Sequence, residues 1–146
     1  MKRSNIARKG CLALLLLALV AAACKKGGSG SAPSQSLLTG STWTFVKFEY
    51  QQKDGTWIPD PNAQYADRFT VLFNANSTFF ELHQANGYNA TGSWSLSSSP
   101  PQLTVTGGID ISGTYAVNQL TSSTLQITNT NYATAAYSAE RLTFTH

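Results

Sequence analysis

The folded part of this chain offers few side chains capable of acid–base or metal chemistry. His83 follows Glu81 by two positions, so on a strand both would face the same side and could approach one metal ion. Two ligands do not complete a metal site, and a histidine at the end of a strand is more often a surface residue. Asp54, Asp60 and Asp67 also lie in one stretch, but two of them precede a glycine or a proline, as in ordinary turns. Their spacing fits no calcium loop, so we predict no metal site.

Motifs for nucleophilic catalysis and for phosphate binding are absent from the sequence. No serine carries the flanking glycines of a nucleophile elbow, and the pair Gly107-Gly108 lacks the partners of a phosphate loop. A nucleophile also needs a base, and the chain has two histidines, His83 and the C-terminal His146. We predict that the protein is not an enzyme and that it uses no cofactor.

The positive charge of the chain is concentrated in its first residues. The 146 residues include 10 Lys+Arg and 7 Asp+Glu, a formal net charge of +3, yet four of the basic residues lie within the first nine positions. From residue 37 onward only Lys47, Lys53, Arg68 and Arg141 stand against seven acidic residues. A slightly acidic domain with little charge gives no basis for binding a phosphate backbone, so we exclude nucleic acid as a partner.

Residues 1–23 have the layout of a secretory signal peptide. A basic segment is followed by thirteen apolar residues, CLALLLLALVAAA, which as a signal helix would rise about 20 Å, too short to span a bilayer. The run ends in three alanines directly before Cys24, and this exit resembles the lipobox of bacterial lipoproteins. The resemblance implies that Cys24 is acylated with palmitate-like chains and becomes the first mature residue. The alternative is ordinary cleavage near Ala23, which would leave a free thiol.

A lipid on Cys24 implies a membrane-bound protein outside the cytoplasm, because two or more acyl chains anchor a protein stably. Among the bacterial lipoproteins that this segment resembles, those of enterobacteria are retained in the inner membrane when an Asp follows the cysteine. Here Lys25 follows, so we expect the outer membrane, on its periplasmic or its surface face. Cys11, the other cysteine, lies in the removed segment, so the folded part has neither a disulfide nor a thiolate metal site.

A flexible tether separates the cysteine from the domain. Residues 25–36, KKGGSGSAPSQS, are rich in glycine and serine and contain no large apolar residue, which is typical of a flexible coil. We therefore divide the chain into a signal peptide over 1–23, a lipidated cysteine and tether over 24–36, and a domain over 37–146.

Apolar residues of the domain recur with a period of two, the pattern of β-strands. Turn residues separate eight predicted strands, and we also expect a short edge strand over 56–58 and a short helical turn over 133–140. Short strands at regular spacing indicate an all-β sandwich or barrel. The eight strands are Thr42–Tyr50, Arg68–Phe73, Thr78–His83, Ala90–Leu96, Gln102–Thr106, Gly113–Gln119, Thr124–Thr130 and Glu140–Thr145.

Three segments of the domain carry a resemblance to a known family. Residues 37–43 (LLTGSTW) open the domain, residues 68–80 (RFTVLFNANSTFF) follow in mid-chain, and Gly92-Ser93-Trp94 lies in a later strand. In this order they resemble the lipocalin-like lipoprotein domains common in Bacteroidetes. The resemblance implies an eight-stranded antiparallel up-and-down barrel in which Trp43 closes one end and a basic residue, here Arg141, packs over its ring. The other interpretation of Arg141 is a solvated strand residue.

Seven aromatic residues fall on alternating strand positions and have two interpretations. They either fill the barrel as its core or line a pocket for one small apolar ligand, since an eight-stranded barrel allows both. We accordingly expect a membrane-anchored protein that binds a small hydrophobic molecule. The alternative is a structural lipoprotein that docks an envelope protein through residues such as Tyr50, Trp57 and Ile58. The candidate ligand-binding residues are Trp43, Phe45, Phe69, Phe73, Phe79, Trp94 and Tyr115.

Overall fold

The computed structural model describes residues 33–60, 69–132 and 134–146. The predicted signal peptide, Cys24 and most of the tether lie outside these residues, as do Asp67 and Arg68. Within the described part, no helix is long and apolar enough to cross a membrane. The elements are α1 (Gln35–Thr39), β1 (Thr42–Gln52), β2 (Trp57–Pro59), β3 (Phe69–Phe73), β4 (Thr78–His83), β5 (Asn89–Ser98), β6 (Pro101–Thr106), β7 (Gly113–Leu120), β8 (Thr124–Asn129) and β9 (Tyr137–Thr145).

Eight of the described strands form a closed antiparallel barrel. From β3 to β9, each strand pairs with the next strand in sequence. The barrel closes through β1, whose first residues, Thr42–Thr44, pair with β3 on one side while residues 44–52 pair with β9 on the other. Closure leaves almost no unpaired sheet edge. The predicted all-β, eight-stranded up-and-down barrel is therefore confirmed.

The extra strand β2 extends the second half of β1. It pairs Trp57, Ile58 and Pro59 with residues 49–51, where β3 no longer covers the edge of β1. The helical turn predicted over residues 133–140 is wrong. Tyr137 already pairs with Gln52 at the start of β9, so backbone hydrogen bonds to β1 outweigh the local helical preference of the alanines.

One end of the barrel, here called the α1 end, is closed by α1 and by the tight turns next to it. The ring nitrogen of Trp43 donates a hydrogen bond of 2.8 Å to the carbonyl of Leu38 in α1, and both residues are completely buried. The ring nitrogen of Trp94 donates to the carbonyls of Asn74 and Thr78, at 3.0 and 2.9 Å, and so fixes the turn between β3 and β4. Both indoles thus satisfy their single donor while burying a large apolar surface.

Candidate functional site

The seven aromatic residues proposed as ligand contacts all lie in the apolar core. Each is at most 8% exposed, and they pack on one another through the middle of the barrel and towards the α1 end. Phe45 stacks on Phe69 with ring centroids 4.8 Å apart, and Phe73 meets the edge of Trp94 at 5.7 Å. The positions found by the period-two pattern are therefore interior ones, and the space between them is filled by their own rings.

A cavity of about 550 Å³ lies at the opposite end of the barrel, here called the mouth. The end of β1 and the β4–β5, β6–β7 and β8–β9 loops meet there, so residues distant in sequence share one wall. None of the seven predicted aromatic residues lines this cavity. Its lining mixes aromatic and acidic side chains: Phe48, Tyr50, Asp60, His83, Asn86, Tyr88, Ile109, Asp110, Tyr132 and Glu140.

A buried carboxylate fixes one wall of the mouth. Glu81 points inward on β4 and is completely buried, and its two oxygens accept the backbone N–H groups of Ile109 and Asp110 at 3.1 and 3.0 Å. His83 Nε2 lies 2.8 Å from Glu81 Oε1 and 3.3 Å from Asp110 Oδ2. Glu81 therefore holds the β6–β7 loop across the barrel, and every oxygen of this buried group has a partner, as burial of a carboxylate requires.

The prediction that His83 is a surface residue is wrong, because it is only 5% exposed and its ring stacks on Phe69. Phe79, Glu81 and His83 alternate along β4, so the period-two pattern already placed His83 on the inner face. Sequence reasoning missed Asp110, since a loop 29 residues from Glu81 leaves no local signal of this contact.

Glu81, His83 and Asp110 also form the one described group of three side chains whose ligand atoms could meet at a metal ion, all within 4.8 Å of one another. The Glu81 oxygens already accept loop N–H groups, so binding a metal there would compete with the contacts that hold the loop. The loop approaches closely because Gly108 has no side chain. A Cβ at that position would lie 2.9 Å from Glu81 Oε2 and would overlap the carbonyl oxygen of Ile111.

A second inward carboxylate, Glu140 on β9, lines the cavity itself. It is 8% exposed and accepts a hydrogen bond of 3.0 Å from the side-chain amide of Asn129. Burial raises the pKa of Glu140 above its ordinary value, although the bond from Asn129 opposes the rise. No lysine or arginine in the described residues forms an ion pair with Glu140. Within this part of the chain, its hydrogen-bond donor is the neutral amide of Asn129.

Tyrosine rings form the wall beside Glu140. Tyr50 stacks on Tyr132 and Tyr137, with ring centroids 5.6 and 4.6 Å apart, and Phe48 meets its ring edge-on at 5.1 Å. Burial raises the pKa of Tyr50 above its ordinary value, and the hydrogen bond to Tyr132 and the charges of Asp60 and Glu140 raise it further. Tyr50 therefore stays neutral throughout the physiological range and holds the uncharged rings of Tyr132 and Phe48 in place at the cavity.

The predicted contact between Trp43 and Arg141 is wrong. Arg141 lies on the outer face of β9, where its Nε and Nη2 atoms are 2.8 and 2.7 Å from Glu49 Oε2 and its guanidinium covers the ring of Trp57 at 4.1 Å. Trp43 points inward and meets the ring of His146 at 4.7 Å instead.

Glu49 is the acidic centre of this outer cluster. Burial by itself raises the pKa of Glu49, but hydrogen bonds and charges from Lys47 and Arg141 outweigh burial and bring the pKa below its ordinary value. Trp57, one of the residues considered for docking a partner, is covered by Arg141 here. Tyr50 and Ile58, the other two, are partly buried.

A closed meander barrel that is packed at one end and holds a cavity at the other has the architecture of ligand-binding barrel proteins. The family model described as a lipocalin-like domain matches residues 38–127, and the chain belongs to that family. Among solved structures, a DUF4847 family protein from Bacteroides vulgatus ATCC 8482 has a similar fold, with a TM-score of 0.50 and 17% sequence identity. The match covers 77% of this chain and 96% of that one. None of the curated proteins compared with the chain matches it.

Proposed function

We propose that this protein is a lipid-anchored, lipocalin-like lipoprotein of the bacterial cell envelope that binds a small, largely hydrophobic molecule at the mouth of its barrel. The observation that carries the proposal is the cavity of about 550 Å³ with aromatic walls. Ligand-binding cavities commonly range from roughly 300 to 1,000 Å³, and most of their lining is apolar with a few polar groups that fix orientation. The function is binding without catalysis, as is general for lipocalin-like domains.

The binding surface in this proposal differs from the one expected from the sequence. Phe48, Tyr50 and Tyr132 provide the walls of the cavity. Of the seven core aromatics, Phe45 contacts Phe48 and Phe69 stacks on His83, both of which line the cavity. Tyr88 and Ile109 are 67% and 53% exposed at the rim, where an entering ligand would bury apolar surface that now faces water. Burial of apolar surface by a ligand therefore contributes most to the free energy of binding at the open rim of the barrel.

The membrane anchor rests on the sequence. The three alanines before Cys24 and the glycine- and serine-rich residues after it support acylation of the cysteine followed by a flexible connection to the domain. The proposed place is the outer membrane, where a tethered barrel could take up or hold an apolar molecule close to the bilayer.

Native mass spectrometry of the full chain, purified from bacterial membranes in mild detergent, tests ligand binding. We expect an adduct that Ile109→Trp removes by filling the rim of the cavity. Val46→Trp is the matched control, since Val46 is an aliphatic residue of similar exposure, 56%, and does not line the cavity. A wild-type protein without any adduct, or adducts of equal occupancy in both variants, would contradict the proposal.

A further inference from the structure

We propose that the ligand of the mouth cavity is an organic cation: an amine or quaternary ammonium group carried on a small apolar body. This inference rests on the proposed function, because it names the chemical class that the same cavity selects. Two independent features of the mouth carry it, namely an inward carboxylate that no described lysine or arginine contacts and a wall of tyrosine rings beside that carboxylate.

The carboxylate of Glu140 lies in the cavity wall with a single neutral donor, Asn129, at 3.0 Å. None of the described residues that line the cavity is a lysine or an arginine. His83 is the basic residue in this lining, and it is engaged by Glu81 and Asp110 at 2.8 and 3.3 Å. Lys47 and Arg141, two of the basic residues that the structure describes, are both engaged by Glu49 on the outside of the barrel. A bound cation would give Glu140 the opposite charge that no described lysine or arginine supplies.

The tyrosine wall offers the second half of a cation site. An ammonium group over an aromatic face is attracted by the negative potential of the ring, and desolvation strengthens this attraction. Tyr50 and Tyr132 stack at 5.6 Å, Phe48 stands edge-on to Tyr50, and all three line the cavity together with Glu140. Tyr50 also lies opposite Glu140 across β1 and β9, so an ammonium group held by the carboxylate would lie beside these aromatic rings.

Ligands of the opposite charge are disfavoured by the same residues. A fatty acid or another carboxylate would bring its charge towards Glu140 and Asp110 in a partly buried space, where like charges repel strongly. A neutral apolar ligand would bury Glu140 further without compensating its charge. The apolar rim formed by Tyr88 and Ile109 remains available for the body of the molecule.

Three indole compounds of matched size test the inference: tryptamine (cationic), tryptophol (neutral) and indole-3-acetate (anionic). Each is titrated calorimetrically into the full chain in phosphatidylcholine nanodiscs, with protein-free nanodiscs as the blank. We expect tryptamine to bind at least about tenfold more tightly than tryptophol, and indole-3-acetate to bind most weakly. Equal affinity for tryptamine and tryptophol would overturn the cation inference while leaving ligand binding at the mouth intact. Failure of all three to bind would also overturn the inference, whereas the proposed function is tested separately by the adduct experiment.

Glu140→Gln separates recognition of charge from fit to the cavity. The glutamine keeps the shape and the hydrogen bond to Asn129 but removes the charge, so tryptamine should lose its advantage of about tenfold while tryptophol binds as before. Asp54→Asn is the matched control, since it removes one negative charge in the exposed β1–β2 turn and asparagine can keep the turn hydrogen bond to Thr56. Tyr132→Leu should weaken tryptamine more than tryptophol. A tryptamine preference unchanged in both Glu140→Gln and Tyr132→Leu would overturn the inference.

Discussion

Two glutamates point into the same barrel, and their hydrogen-bond partners give them different roles. Glu81 is completely buried, accepts two backbone N–H groups of the β6–β7 loop and contacts His83. Glu140 has one neutral donor, Asn129, and lies in the wall of the cavity. A buried charge that is so sparsely compensated destabilises the folded state, whereas a fully bonded carboxylate orders the loop that covers it. Glu81 therefore stabilises the position of the β6–β7 loop, whereas Glu140 is placed to bind a ligand.

This difference predicts that Glu140→Gln stabilises the unliganded protein at neutral pH. Because the folded-state pKa of Glu140 is raised, the folded state holds this proton to higher pH than the unfolded chain does. As the pH rises from the unfolded-state pKa, near 4.3, through the raised folded-state pKa, the free energy of unfolding of the wild type should fall relative to that of the variant. The loss amounts to about 1.4 kcal/mol for each unit by which the two pKa values differ. Urea unfolding of both proteins between about pH 4 and pH 8 measures it. If the difference in the free energy of unfolding between variant and wild type became smaller as the pH rises, the pKa of Glu140 could not be raised in the folded state.

Sequence reasoning at the residue scale succeeded for side chains facing the core and failed for contacts between distant residues. The period of two placed Phe79, Trp94 and Tyr115 inside, and all three are buried. The same pattern could not show that Asp110 meets His83, because that contact depends on a loop folding across the barrel end. Local patterns report the face on which a residue lies, and they do not report the loop that comes to cover it.

At the scale of elements, a bulge in β1 decides which side chains of its second half face the cavity, whereas Arg141 faces outward because it lies three positions from the inward Phe144 on β9. The register of β1 against β9 shifts between Phe45 and Lys47, so one extra residue of β1 interrupts the alternation of faces. Without that shift, Glu49 would share the inner face with Trp43. With it, Glu49 faces outward and meets Arg141, while Phe48 and Tyr50 turn inward and line the cavity. The bulge thus positions the aromatic wall of the mouth. No glycine or other turn residue in this part of the sequence indicated that a bulge would form.

A second prediction at the scale of elements concerns β5. Gly92 of this strand lies opposite Phe79, where there is no room for a side chain. A Cβ at Gly92 would lie 2.5 Å from the Phe79 ring and would overlap the carbonyl oxygen of Thr106. We expect Gly92→Ala to lower the free energy of unfolding by about 1–3 kcal/mol through overpacking, as measured by urea denaturation. Ser95→Ala, at an exposed position of the same strand, is the control and should change it by less than about 0.5 kcal/mol. Equal stability of the two variants would show that the backbone near Gly92 yields easily.

At the scale of the whole molecule, the barrel divides into a packed α1 end and a mouth that holds a cavity. The barrel itself was predictable, because eight alternating strands with tight turns have few ways to bury their apolar faces. The cavity was not, because loops from three separate hairpins and the end of β1 build it, and its volume depends on how far they stand apart. The domain has few charged side chains, and several of them lie at the mouth or in the outer cluster around Glu49.

In the function proposed above, the position of the molecule in the cell depends on Cys24, and Cys24→Ala tests it. If Cys24 carries the acyl chains, the variant expressed in a bacterial host should lose all labelling by an alkyne fatty acid, and the domain should leave the membrane fraction washed with high salt. The salt wash removes proteins that are held by charge alone, so acyl chains account for what remains bound. Cys11→Ala is the matched control, because it changes the other cysteine within the apolar run and should leave labelling and fractionation unchanged. Persistent labelling of the Cys24→Ala chain would show that the lipid is attached elsewhere, and the mouth of the barrel would then need another route to an apolar ligand.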